Sequence, residues 1–211
     1  MKALYTAAFA SIVATAAPAA TFDFTGDICN GGLACANSNQ IDQTYGDMVG
    51  VDAVYDRDIS TAAKDNVLYW GTGYEEFSSV IWTDLSTKVM SISLIAMAGY
   101  EVTLSSLGIA PYLNRNANPQ LQIVDLATAS DIYNMNFTPI STDGSTTISP
   151  NATSEAGFEI IFGPDAYNSG IGFLTYDAQL IADTPAVPLP AAGWMLIAGI
   201  GGLMAARRKR G

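Results

Sequence analysis

Met90-Ser91-Ile92-Ser93-Leu94-Ile95-Ala96-Met97-Ala98-Gly99-Tyr100-Glu101-Val102-Thr103-Leu104-Ser105-Ser106-Leu107 holds two apolar alternations separated by a small-residue break. Met90, Ile92 and Leu94 fall on one side and Ser91 and Ser93 on the other; after Ala98-Gly99, Tyr100, Val102 and Leu104 oppose Glu101, Thr103 and Ser105. A period of two is that of a strand with one buried face, and Ala-Gly suits the turn between two such strands. Working outward, similar short runs occupy 49–55, 67–70, 79–83, 121–126, 132–137, 157–162 and 171–181, beside the two over 88–96 and 100–107. Turn chemistry separates them: Asn114-Arg115-Asn116-Ala117-Asn118-Pro119, Ser141-Thr142-Asp143-Gly144-Ser145 and Asn168-Ser169-Gly170. No stretch of normal length repeats at the helical period. Many strands without intervening helices predict an all-β domain over 21–184, an antiparallel β-sandwich or jelly roll, and a chain of this size can bury a real core.

The rest of the chain reads as address. Met1 and Lys2 precede an apolar, alanine-rich run that ends in Ala17-Pro18-Ala19-Ala20. That is the layout of a secretory signal peptide over 1–20, cut after Ala19 or Ala20; the competing reading is a buried helix, for which the run lacks a bulky periodic face. Export places Cys29 and Cys35 where thiols oxidise, so one disulfide is expected to close their Gly- and Asn-rich loop, contributing roughly 2 kcal/mol. Half of a metal site would need further soft ligands, which the sequence lacks.

At the other end, Val187-Pro188-Leu189-Pro190-Ala191 opens an apolar run that reaches Ala206 and stops at Arg207-Arg208-Lys209-Arg210. As a helix the run would span about 24 Å at ~1.5 Å per residue, short of a ~30 Å hydrocarbon core. Snorkelling of the four basic residues and an interfacial Trp194 would let it cross with the domain outside. This segment, 185–211, resembles the PEP-CTERM class of sorting signals and matches its VPLPA variant at each position from Val187 to Ala191. The resemblance implies passage through the Sec machinery, an inner-membrane intermediate held by the tail, and recognition by an exosortase-type membrane protease. Release to the cell surface or an extracellular polysaccharide matrix would follow. Leu189 stands where the better-known signal has glutamate, so the processing enzyme would be the one for this variant. An anchor that is never cut is the alternative.

Charge narrows the function classes. Outside the two terminal segments only Arg57, Lys64, Lys88 and Arg115 oppose 20 acidic residues, a balance that repels nucleic-acid phosphates. The chain has no histidine, which closes off serine–histidine triads and histidine-based zinc sites. No nucleophile elbow, phosphate-cradling loop or dinucleotide fingerprint occurs. The reading is therefore of a noncatalytic surface or matrix protein, with a carbohydrate-binding module as the alternative and a carboxylate-dependent glycoside hydrolase, drawing on Glu75, Glu76, Glu101, Glu155 or Glu159, as a third.

Two groups are candidate sites. Tyr69, Trp70, Tyr74, Phe77 and Trp82 form the densest aromatic stretch, interleaved with Gly71, Gly73, Glu75 and Glu76. Tyr74, Trp70 and Glu75 are the candidate glycan contacts, since flat rings suit the apolar faces of pyranoses and carboxylates their hydroxyls; packing in a core would account for the same rings. Asp56 and Asp58, in an acidic group with Asp47 and Asp52, are weak candidates for a metal, calcium first since it takes several oxygen ligands, although no EF-hand spacing is present. A solvated acidic surface is the competing reading. No other cofactor is expected.

Overall fold

The computed structural model describes residues 19–84, 86–113, 117, 119–135 and 144–181; residues 1–18 of the segment read as a signal peptide, and the segments 187–191 and 207–210 read as sorting motif and basic end, lie outside them. Among the described residues there is no helix, and twelve strands form two antiparallel sheets. The five-stranded sheet runs β2 (Val51–Asp56), β5 (Met90–Ala96), β11 (Gly157–Gly163), β7 (Gln120–Asp125), β8 (Ser130–Met135). The seven-stranded sheet is built on two long strands, β6 (Tyr100–Pro111) and β12 (Ser169–Leu180), paired along their whole length. Beyond β12 lie β4 (Val80–Trp82), with β3 (Leu68–Trp70) outside it, and β1 (Ala20–Phe22); beyond β6 lie β9 (Thr146–Ile148) and β10 (Ala152–Ser154).

Met90, Ile92 and Leu94 of β5 and Val102 and Leu104 of β6 are all buried in one core, together with Phe158, Ile160 and Phe162 of β11 and Ile171, Leu174 and Tyr176 of β12. Each fully buried aliphatic or phenylalanine side chain in such a core contributes about 1.5–3 kcal/mol. The result is a sandwich-like fold whose layers meet through the alternating apolar faces. The Ala98-Gly99 turn is present, closed by the Tyr100 N–H donating to Met97 O at 2.9 Å, but it carries the chain from one sheet to the other. It does not join neighbours in one sheet, because both strands must point their apolar faces inward from opposite sides.

Three strands escape the sequence pattern. β1, β9 and β10 have three residues each, too few to show a period, and each exists by pairing along β12 or β6. β1 also begins at Ala20, inside the range read as signal peptide; Thr21 and Thr175 share a hydroxyl hydrogen bond of 3.0 Å, and Phe22 stacks on Tyr176 at 4.8 Å.

The connection from β1 to β2 is structured and closes one side of the molecule. It carries the Cys29–Cys35 disulfide, and Phe24, Ile28, Cys29 and Ile41 enter the core. Backbone bonds tie it to the β3 edge: Ser38 N–H to Tyr69 O at 2.8 Å, Tyr69 N–H to Asn39 O at 2.8 Å and Ile41 N–H to Val67 O at 3.0 Å. Along the β2 edge side chains take over. The Gln43 amide exchanges two bonds of 2.9 Å with the Tyr55 backbone, and Asp47 accepts the Ala53 N–H at 2.9 Å. Both edges thus lose the unpaired backbone groups that would template aggregation.

The outer face of the seven-stranded sheet carries a second, smaller apolar cluster. The β3–β4 connection folds over it, setting Tyr74 and Phe77 against Val80, Ala110, Trp70 and Tyr112. Glycine makes the approach feasible: a Cβ at Gly172 would stand 2.2 Å from a Phe77 ring carbon, and one at Gly108 would stand 2.3 Å from Phe173 and 2.7 Å from Phe77.

Candidate aromatic binding cleft

Because the residues of β4 alternate, Ile81 faces the main core while Val80 belongs to the outer cluster and Trp82 lines the cleft beside it. Trp70, opposite Val80 on β3, shares that outer side. Tyr112 follows the end of β6 and Tyr167 lies in the β11–β12 connection, so four separate parts of the chain meet there. Trp70, Tyr74, Trp82, Tyr112 and Tyr167 line an open cleft of about 260 Å³.

The rings are packed mainly edge to face. Trp70 stands at 84° to Trp82, 5.3 Å between centroids, and at 85° to Tyr112, 5.9 Å away. Tyr74 tilts against Tyr112 at 5.2 Å, and Tyr167 meets Trp82 at 5.5 Å. Such arrangements suit the negative face and positive edge of each ring and hold the walls in fixed orientation. Tyr167 is 43% exposed and forms the outer lip, while Tyr74 is buried at the base.

Polar groups in the cleft are neutral donors. Burial first, and then the neighbouring Tyr112 and Tyr167 phenols, push the Tyr74 hydroxyl well above its ordinary titration range, so it stays protonated. The Trp82 indole N–H donates to Tyr69 O at 3.2 Å. The Trp70 Nε1–H is shielded from water and finds no acceptor among the described residues. A buried donor in that state costs free energy.

Of the sequence candidates, Trp70 and Tyr74 come together here, and Glu75 does not line the cleft. Glu75 is exposed, with φ of 52°, one residue beyond the point where Tyr74 turns inward. Glu76 points elsewhere, accepting the backbone N–H and hydroxyl of Ser145 and so fastening the β3–β4 connection to the segment before β9. Tyr112 and Tyr167 are the residues that sequence reasoning missed. Neither sits in an aromatic-rich stretch, and only pairing of β6 with β12 brings them to the same end.

The acidic group is not a cluster. Asp47 and Asp58 lie beyond opposite ends of β2, and Asp52 is exposed on its outer side. Asp56 and Asp58 are buried and neutralised by lysines: Lys64 Nζ is 2.8 Å from Asp56 and Lys88 Nζ 3.1 Å from Asp58. Asp58 also accepts the Ser60 hydroxyl at 2.6 Å, which together with Lys88 holds its carboxyl below the usual range. A cation here would have to displace ammonium groups, and among the described residues no three acidic, thiol or imidazole side chains converge as a metal group. Glu101 and Glu159 occupy the outward positions of β6 and β11, in opposite sheets. No protein-family model and no curated protein matches the chain.

Proposed function

We propose that this chain is an exported, noncatalytic surface or matrix-associated module that binds a saccharide through the aromatic cleft, delivered by its VPLPA-type tail and an exosortase-type protease. The observation that carries the binding reading is the convergence of five aromatic side chains, from four parts of the chain, on one open cleft. A core needs no such opening; a sugar ring does, because its apolar face stacks on an aromatic wall while its hydroxyls need donors and acceptors at the rim. At about 260 Å³ the cleft falls just below the ~300–1,000 Å³ of ordinary small-molecule sites, which favours one pyranose unit over a long chain segment.

Glycan-array binding followed by calorimetry on Tyr167→Ala and Tyr112→Ala tests the reading. Tyr74→Ala is a poor choice, since Tyr74 is buried and its loss would loosen the cluster. Tyr167→Ala is expected to weaken saccharide binding at least tenfold with little change in stability, the usual result at an exposed position. Absence of binding by the wild-type chain to any neutral polysaccharide would sink the proposal.

A further inference from the structure

All strands turn over at two ends, and one of them groups exposed aliphatic side chains with no lysine or arginine among its described residues. Val49 is 77% exposed, Leu180 67% and Met97 47%. Backbone contacts gather them around Tyr100: Met97 N–H donates to Gly50 O at 2.9 Å, Tyr100 N–H to Met97 O at 2.9 Å, and Leu180 pairs with Tyr100. On the outer side of the five-stranded sheet, exposed Ile95 and Leu126 flank Gly157 at the same end. Soluble proteins scatter such residues singly, and a grouped set marks a surface that meets something apolar.

The chain itself says what lies opposite. Leu180 closes β12 at this end, and Val187 opens the sorting motif after only a few intervening residues, which fully extended reach at most about 20 Å. A domain of this length has a radius of gyration of about 15 Å, so while the tail is held in a bilayer only this end can reach the interface. β1, running antiparallel to β12 with Ala20 opposite Tyr176, begins at the same end, so the segment read as signal peptide also departs here. Arg57, Lys64 and Lys88 sit toward the far end, whereas the carboxylates of Asp52 and Glu155 edge the apolar group, so the attraction cannot be to anionic headgroups.

We infer that this end is a membrane-apposed face: Val49, Met97 and Leu180 enter the headgroup–acyl boundary while the tail is uncut, and the aromatic cleft is held at the end away from the bilayer. The inference rests on the tail reading and is independent of the saccharide.

The full chain in phosphatidylcholine vesicles, with an environment-sensitive fluorophore on Val49→Cys, Met97→Cys or, at the far end, Ala62→Cys, tests it; Cys29 and Cys35 are already paired. Brominated lipid is expected to quench the labels at 49 and 97 at least twofold and to leave the label at 62 unchanged. With Val49→Ser and Leu180→Ser added, quenching at 97 should fall to the level at 62, which tethering alone would not produce. Chains that float with vesicles but show equal, weak quenching at all three positions would overturn the inference and leave the tail reading standing. Chains that do not float at all would overturn both.

Discussion

The two ends of the sandwich are built from opposite chemistry. The far end is charged and aromatic, with Ile59 and Leu113 exposed among the charges: Asp56–Lys64, Asp58–Lys88 and the looser pairs of Arg57 with Asp65 and Asp84 surround the connections there, and the aromatic cleft opens beside them. At the opposite end, where Leu180 closes β12 (the exit end), no lysine or arginine appears among the described residues; its connections are tight, small-residue turns with exposed aliphatic side chains. The difference teaches that one fold can hold its two rims by different means, long charged connections on one side and backbone geometry on the other. Each can be broken separately.

The exit end should be the more fragile to a single methyl group. Gly157 has φ of +95°, and a Cβ there would lie 1.8 Å from Leu94 O and 3.0 Å from Ala96 N, both backbone atoms in the paired strand. Neither can move without opening the β5–β11 ladder. Gly157→Ala should therefore cost more than about 3 kcal/mol, from the strained backbone and the clash together, and chemical denaturation would show a largely unfolded domain. Near-native stability would mean that this rim is looser than its hydrogen bonds imply.

At the far end the sensitive element is an uncompensated charge. Lys64→Met would leave the buried Asp56 carboxylate without its cation, costing about 1–3 kcal/mol. Asp56→Asn should cost less, because Lys64 is 55% exposed and rehydrates, and the amide oxygen can still accept the Asp58 N–H. If the two variants lose equal stability, the pair acts through packing instead of charge. Replacing Cys29 and Cys35 together by serine should cost about 2 kcal/mol by loop-closure entropy, a change seen as a lower unfolding midpoint and reproduced by reductant.

Legibility in the sequence followed the same division. Strands that bury one face against the opposite sheet announce themselves by alternation or by a short apolar run, and nine of the observed strands stand within four residues of the runs read from the sequence. β1, β9 and β10 are too short to carry a period and depend on the long strands they pair with. The aromatic stretch was visible, with core packing and ligand contact both open for Trp70 and Tyr74; what the sequence could not show is that β6 and β12 bring Tyr112 and Tyr167 beside them. The acidic spacing did not show that Asp56 and Asp58 are each paired with a lysine, because Lys64 lies across a turn and Lys88 in a separate part of the chain. The exit end was invisible because Val49, Met97 and Leu180 look like core residues in any one-dimensional pattern.

The smallest effect is the pH dependence, and it treats the two ends alike. Asp125 near the exit end is held below its ordinary 3.8, chiefly by the Ser154 hydroxyl, and Asp58 at the far end chiefly by that of Ser60. Hydrogen bonds from Thr44, Ser145 and Gln122 do the same for Asp42, Glu76 and Asp131. A carboxyl depressed in the fold contributes stability above its unfolded value and loses it as pH falls through the folded one, so the acid limb lies below about pH 4. Tyr55, Tyr74 and Tyr176 move the other way: burial raises each phenol, so their contribution is present below about pH 10 and is lost as pH rises beyond it. Urea midpoints should be flat between these limits. Ser154→Ala and Ser60→Ala should each return one carboxyl toward its ordinary value and make the acid limb shallower by a similar, small amount. If only Ser60→Ala does so, acid unfolding begins at the charged end, and the apolar rim is the last part of the sandwich to open.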